Sequence, residues 1–334
     1  MLARILGVVG RTLVSAGVII LLFVAYEVWG TNLQEAKSQH SLKKQFQQEL
    51  QAVPKLTTTT SSTPTSTTAP TTTPGSGPGI SVTPATTPPQ VDPIPIAIPT
   101  EGQPLAEIII PKIDVDKTVV QGVTVPQLKR GPGHYPETPL PGQAGNAAIA
   151  GHRTTYGAPF HNVDKLVVGD EIVIKTLYWP KPFRYKIDNI SIVSPNDTSV
   201  LQYKGDNRIT LTACHPKYSA TKRIVISGVL VGNPVGKLKG QDAFVKKQHH
   251  NGAKGTDTID GGLSGQKSSK TPAFLFAGLA ALVWLLSWGA SKLIRRRDLH
   301  GLVAWTPYVV GLPIFLLVLY FFFENFSLLL PGNF

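Results

Sequence analysis

The 334-residue chain has one cysteine, Cys214, and one methionine, and only 16% of its residues are charged. A single cysteine cannot close an internal disulfide, so the chain is not a disulfide-stapled scaffold. Carboxylates are scarce, 20 against 32 Lys and Arg, and no pair of them has a glycosidase-like arrangement. No His, Asp and Glu cluster has metal-ligand spacing, and no glycine-rich loop follows a strand and opens a helix. Neither a resident metal nor a nucleotide cofactor is therefore expected. The net charge of +12 is spread along the whole chain without a dense basic stripe interleaved with aromatics, which argues against nucleic acid as a partner.

What is present divides the chain into segments, and 28 prolines and 31 glycines mark many of the boundaries. Residues 1–30 hold Arg4, Arg11 and an uncharged stretch from Thr12 to Tyr26. With no small-x-small cleavage pattern at its end, this stretch reads as a retained transmembrane anchor. Residues 31–56 have weak helical character, with Asn32 three positions before Glu35 as in a capping box and Leu42, Phe46 and Leu50 spaced by four. Residues 57–100, mostly Thr, Ser and Pro, have too little apolar surface to order and read as a disordered linker. Residues 101–234 form the one globular segment, and 235–270, rich in Gly, Lys, Ser and Asn, a flexible tether.

Two further apolar stretches, 271–292 and 301–323, read as transmembrane helices around a basic loop, 293–300, that contains Arg295, Arg296 and Arg297. A short tail, 324–334, follows. Positive-inside logic places both the N-terminus and the basic loop in the cytoplasm, giving a multi-pass membrane protein whose globular segment is extracytoplasmic. None of the three apolar interiors contains an ionisable residue, so they read as anchors and not as a transport path.

Within 101–234, short apolar runs alternate with Pro and Gly. Strands are expected at 105–113, 117–122, 146–151, 171–177, 184–193, 208–214 and 222–231. The alternation slips by one residue at Asp188 and Asn189, which predicts a bulge. Helix is limited to short connectors such as 126–129. Seven or eight short strands argue for a mainly β fold, a small barrel or sandwich.

Cys214 lies at a strand end. Alternation puts Ile209, Leu211 and Ala213 on one face and Thr210, Thr212 and Cys214 on the other, more polar one. Two readings stand at this point, a small buried hydrophobe and a nucleophile. A nucleophilic thiol needs a cationic neighbour, and four histidines are available: His134, His152, His161 and His215. His152, just past the apolar run 147–150, mirrors the position of Cys214 and is the leading candidate, without excluding the others. Arg223, at the start of the next strand, can fold back beside the thiol to stabilise an oxyanion.

The run Thr210-Leu211-Thr212-Ala213-Cys214, with Arg223 downstream and Gly151-His152-Arg153 upstream, resembles the sortases, membrane-anchored cysteine transpeptidases of Gram-positive bacteria. The stretches 131–136 and 148–160 are most similar to class E sortases of actinobacteria. The resemblance covers about residues 104–232. It implies an eight-stranded β-barrel with short connecting helices, here joined by disordered linkers to three transmembrane α-helices. It also implies Cys214 as nucleophile, His152 as general acid/base and Arg223 as oxyanion stabiliser, with Tyr156 and Thr212 contacting substrate and no cofactor. The implied reaction cleaves the Thr-Gly bond of a sorting signal of LAXTG or LPXTG type on a secreted protein and transfers the acyl group to a cell-wall amine. By family likeness that amine belongs to a lipid-linked peptidoglycan precursor.

Two departures stand out: Ala213 replaces the usual Thr before the cysteine, on the core face, and two C-terminal membrane helices accompany the N-terminal one. The rival readings are an L,D-transpeptidase or peptidoglycan endopeptidase, and a non-enzymatic membrane-tethered module with an inert cysteine.

Overall fold

The computed structural model describes residues 2–52, 97–241, 270–296 and 303–327. Most of the expected linker 57–100 and tether 235–270, the end of the loop 293–300 and most of the tail 324–334 lie outside the described residues. In chain order, α1 (Leu2–Ala25), a π-helical turn (Tyr26–Gly30) and α2 (Thr31–Ala52) precede the strands. The strands are β1 (Pro104–Ile110), β2 (Val115–Gln121), β3 (Gly133–His134), β4 (Asn146–Ala150), β5 (Glu171–Thr176), β6 (Phe183–Val193), β7 (Arg208–His215) and β8 (Lys222–Leu230). A single-turn helix, α3 (Val125–Leu128), links β2 to β3, and α4 (Thr271–Arg296) and α5 (Thr306–Ser327) close the chain.

The strands form a closed barrel in the order β1-β2-β3-β4-β7-β8-β6-β5. The expected apolar runs, several of them alternating, locate all of these strands except β3, which sits inside the turn-rich run 131–136; the expected 105–113 overruns β1 into a 3-10 turn at Pro111–Ile113. Two residues cannot display a period of two, yet β3 pairs with β2 and with β4 and so completes the ring. The bulge expected at Asp188 falls between Ile187 and Asn189. It turns Ile190 back against the core that Tyr185 and Ile187 already face.

The barrel interior holds Ile108, Ile149, Ile172, Leu211 and Ile226, all at most 1% exposed. Ala213 belongs to this core as well, 1% exposed, so the residue before Cys214 faces inward as alternation requires. Cys214 lies on the outer face in a smaller cluster with Val123, Leu128, Tyr135, Ala148 and Ala150.

Three expectations are corrected. The helix expected in 31–56 is present as α2 up to Ala52, but it has no capping box, because the chain stays helical from α1 through the π turn into α2. Asn32 and Glu35 turn instead to the barrel, where Asn32 Oδ1 accepts from Gly157 N–H at 2.9 Å and Glu35 pairs with Lys117 at 2.8 Å. Gln39 accepts from Thr118 N–H and donates to the Thr118 and Arg130 carbonyls. Leu42 and Phe46 are buried, whereas Leu50 is exposed.

Secondly, the tether does not begin at 235. Val235 and Leu238 join the core, Val235 N–H donates to Gly142, and the amides of Gln143 and Gln241 pair at 2.8 Å. Thirdly, two described helices, not three, are long and apolar enough to span a membrane: Thr271–Arg295 and Thr306–Ser327. The apolar part of α1, Thr12–Ala25, falls short. Bounded by Arg11 and Glu27, it rises only about 21 Å against a hydrocarbon thickness of about 30 Å.

Candidate active site

The barrel register brings the chemistry-bearing residues together. Parallel pairing of β4 with β7 sets Ala150 beside Thr212, and Gly151 N–H donates to the Thr212 carbonyl at 3.1 Å. His152 and Cys214 thus leave neighbouring strands at the same level. Antiparallel pairing of β7 with β8 puts Arg223 directly opposite Cys214, and opposed residues share a face. The same face continues through Thr212 and Val225 to Thr210 and Ser227. There it borders a cleft of about 360 Å³ lined by Asn189, Ser191, Val200, Lys204, Arg208, Val225 and Ser227.

All three residues are buried: Cys214 and His152 are 2% exposed and Arg223 is 0%. The Arg223 guanidinium is oriented by its Nη1, which donates to the Ala220 and Lys222 carbonyls, both at 2.8 Å. An arginine held this way keeps a fixed charge beside the thiol with little side-chain freedom left to lose.

Hydrogen bonding separates the four histidines. His134 is engaged by Gln121 and by the Pro139 carbonyl, both at 2.9 Å, and burial depresses its pKa to about 4. His161 donates from Nδ1 to the Arg153 carbonyl at 2.9 Å. His215 Nδ1 lies 3.1 Å from Arg153 Nη1; since arginine only donates, this nitrogen is the acceptor and the ring is neutral. His152 alone has neither ring nitrogen bonded among the described residues. A buried imidazole with both nitrogens unspent is prepared to exchange a proton with something that arrives.

Burial, reinforced by the Lys129 charge, depresses the His152 pKa to about 3. Burial also raises the Cys214 thiol, although Arg223 and Arg153 pull it the other way. The resting pair is therefore thiol and neutral imidazole, with the charged pair as a minority form.

Tyr156 packs against His152 with ring centroids 5.2 Å apart and the rings tilted by 43°, and Lys129 Nζ lies 5.2 Å from the Tyr156 ring centroid. Tyr156 and Ala158 have left-handed φ values of 50° and 40°, flanking Gly157 at 72°. A side chain at Gly157 would run into the Glu35 carboxylate, so α2 holds this loop closely. Thr212 is 0% exposed and its hydroxyl pairs with Tyr135 Oη at 3.0 Å, facing protein and not solvent in this state. No local pattern in the sequence marks Tyr135, Lys129 or the contacts from α2, because each matters only through a distant neighbour. Among the described residues no three His, Cys, Asp or Glu side chains gather as metal ligands would.

A cysteine, a histidine and an arginine brought to one edge of a closed barrel are the equipment of a thiol-dependent acyl transferase. Residues 108–231 match the family model described as a sortase domain, and this segment is a domain of that family. Over 239 residues it is 33% identical to sortase SrtE1 of Streptomyces coelicolor, an alignment covering 67% of this chain and 56% of that protein. Over 134 residues it is 32% identical to sortase D of Bacillus subtilis, covering 39% and 65%. The chain thus spans less than two thirds of either relative. A crystal structure of sortase E1 from Streptomyces coelicolor is 36% identical over 41% of this chain and 94% of that one, with a TM-score of 0.38.

Proposed function

We propose that this protein is a membrane-anchored class E-like sortase. It cleaves the Thr-Gly bond of a LAXTG- or LPXTG-type sorting signal on a secreted protein and passes the acyl group to a cell-wall amine. The observation that carries this reading is the placement of Arg223 opposite Cys214, with His152 at the end of the parallel neighbour strand. Cys214 attacks the threonine carbonyl, His152 as imidazolium protonates the leaving glycine amine, and Arg223 stabilises the tetrahedral oxyanion. An amine, on a lipid-linked peptidoglycan precursor in this reading, then attacks the thioester and restores the thiol.

The signal peptide lies along the outer face of β7 and β8 toward the Asn189–Ser227 cleft, and Tyr156 moves off His152 to contact it. Thr212 acts beneath the nucleophile, through Tyr135. Incubating the full chain with a panel of sorting-signal peptides and an amine should give a peptide–Cys214 thioester and a transferred product by mass. A panel that yields neither would end this reading.

The anchoring part of the proposal is tested separately. Aromatic contacts of Phe23 with Phe323 and Phe326, and of Tyr26 in the following turn with Tyr320, bring the C-terminal ends of α1 and α5 together and support both ends lying at the outer surface. A tag inserted at residue 255 is expected to be accessible on intact cells and one near Asp298 to be protected. Accessibility of both would refute a membrane hairpin of α4 and α5.

A further inference from the structure

Arg153 follows His152 directly, yet the mechanism above gives it no part. Arginine is seldom fully buried without a partner that justifies the cost, and Arg153 is only 2% exposed. Its Nη1 donates to the Cys214 carbonyl at 3.2 Å and to His215 Nδ1 at 3.1 Å. Its Nη2 meets Asp164 Oδ1 at 3.0 Å, and its own carbonyl accepts from His161. One planar group therefore spans from the carbonyl of the nucleophile to the segment after β4 that carries the acid/base, and the fork geometry lets it hold both ends at once. Asp164, 41% exposed by its side chain and also 3.7 Å from Lys217, secures the far end from the surface.

We propose that Arg153 is a positioning residue of the active site, which ties the Cys214 end of β7 to the His152 segment and places a second fixed positive charge beside the thiol. This inference rests on the reading of Cys214 as nucleophile. Three consequences follow from the geometry. Arg153 occupies His215, so the histidine adjacent to Cys214 in sequence is spent and the acid/base task falls to His152. The relative placement of Cys214 and His152 depends on a bridge between residues far apart in sequence and not on the barrel ladder alone. The thiolate gains a cationic neighbour that belongs to a different strand end from Arg223. The groups around the thiol are then Arg223 on β8, His152 and Arg153 after β4, Tyr135 between β3 and β4, and the adjacent His215.

The test uses the full chain in detergent, with two readouts: the pH midpoint of Cys214 alkylation by iodoacetamide, which needs no substrate, and kcat and KM on the best sorting-signal peptide. In Arg153→Met the midpoint should rise by roughly one pH unit, as expected when an opposite charge near a thiolate is removed. The kcat should fall on the order of tenfold or more through misalignment. Arg153→Lys keeps a charge but cannot bridge the Cys214 carbonyl and Asp164 together, so kcat should fall while the midpoint stays near wild type. A wild-type midpoint in Arg153→Met overturns the electrostatic half of the proposal, and a wild-type kcat in Arg153→Lys overturns the positioning half.

If Arg153→Met does not fold, Asp164→Asn loosens the same bridge from its exposed end. It should lower kcat several-fold with KM unchanged, and an unchanged kcat again overturns the positioning half. Failure of the wild-type enzyme to form a peptide thioester would count against the sortase reading itself. That outcome is distinguishable, because the alkylation comparison between wild type and Arg153→Met still reports on the charge.

Discussion

Cys214→Ala is expected to abolish both peptide cleavage and amine transfer while leaving the barrel folded. The expectation of lost chemistry follows from composition: Cys214 is the only thiol in the chain, so no neighbouring sulfur can take over thioester formation. The expectation of retained fold follows from packing. The side chain sits in the small outer cluster with Val123, Leu128, Tyr135, Ala148 and Ala150, and the main core of the barrel lies on the other face of β7. Exchanging a buried thiol for hydrogen leaves a small void, at a cost of about 1 kcal/mol, which corresponds to a shift of a few degrees in Tm. Mass analysis of the variant after incubation with peptide should find no adduct, and its thermal melt should remain cooperative. A variant that still transfers peptide would remove Cys214 from the mechanism and the sortase chemistry with it.

The second large effect concerns His152. His152→Ala is expected to lower turnover by roughly a hundredfold to ten-thousandfold, the usual range for loss of a positioned general acid. The pH dependence carries more information than the loss itself. With the His152 pKa depressed to about 3 and the Cys214 thiol raised, the free enzyme at neutral pH is mostly uncharged at both groups. The competent form, thiolate with imidazolium, has the same number of protons as that uncharged form. Its share of the enzyme is therefore constant between the two macroscopic pKa values of the pair.

The profile of kcat/KM against pH should accordingly be a broad plateau through neutrality. It should fall on the acid side only as a second proton binds the pair, and on the alkaline side only as the last one leaves. A narrow bell centred near neutrality would mean that the two macroscopic pKa values of the pair lie close together, and that the burial of His152 against Tyr156 does not govern its ionisation. Arg223→Lys gives the contrast. It keeps the charge and loses the planar pair of donors, so it should reduce kcat on the order of a hundredfold with the limbs near their wild-type positions. Displacement of the limbs in that variant would assign Arg223 to ionisation of the pair in place of the oxyanion.

The same depressed histidines carry a stability signature with a definite sign. Between about pH 6.5 and the folded values near 4 for His134 and 3 for His152, the unfolded chain binds protons that the folded one does not. Stability is therefore lost as pH falls through this window and regained as it rises.

How much of this could be read from the chain alone varies from residue to residue. The long strands β1, β6, β7 and β8 were legible because alternation is a local property, and even the bulge at Asp188 left a one-residue slip in the pattern. The two faces of β7 were legible for the same reason, with Ala213 in the core and Cys214 outside it. A thiol at a strand end, a histidine at a matching strand end and an arginine at the start of the following strand could be listed from the sequence, and likeness to the sortases then joined them. The apolar run of α1 is cut short by Arg11 and Glu27, and length decides such a span.

Other features depended on tertiary structure. The two residues of β3 have no period to reveal them, and they are strand only because β2 and β4 approach from either side. Asn32, Glu35 and Gln39 look like ordinary polar positions of a helix, and they become part of the site's support only because α2 lies across β2 and the Tyr156 loop. The separation of the four histidines also required the folded chain, since each is distinguished by what its ring nitrogens bond and not by its neighbours in sequence. Sequence determines what is periodic or adjacent along the chain. The register of β4 against β7, which sets His152 beside Cys214 and lets Arg153 reach the Cys214 carbonyl, joins segments some sixty residues apart. Barrel closure decided it, because only one alignment of the ring buries the inner face of every strand at once.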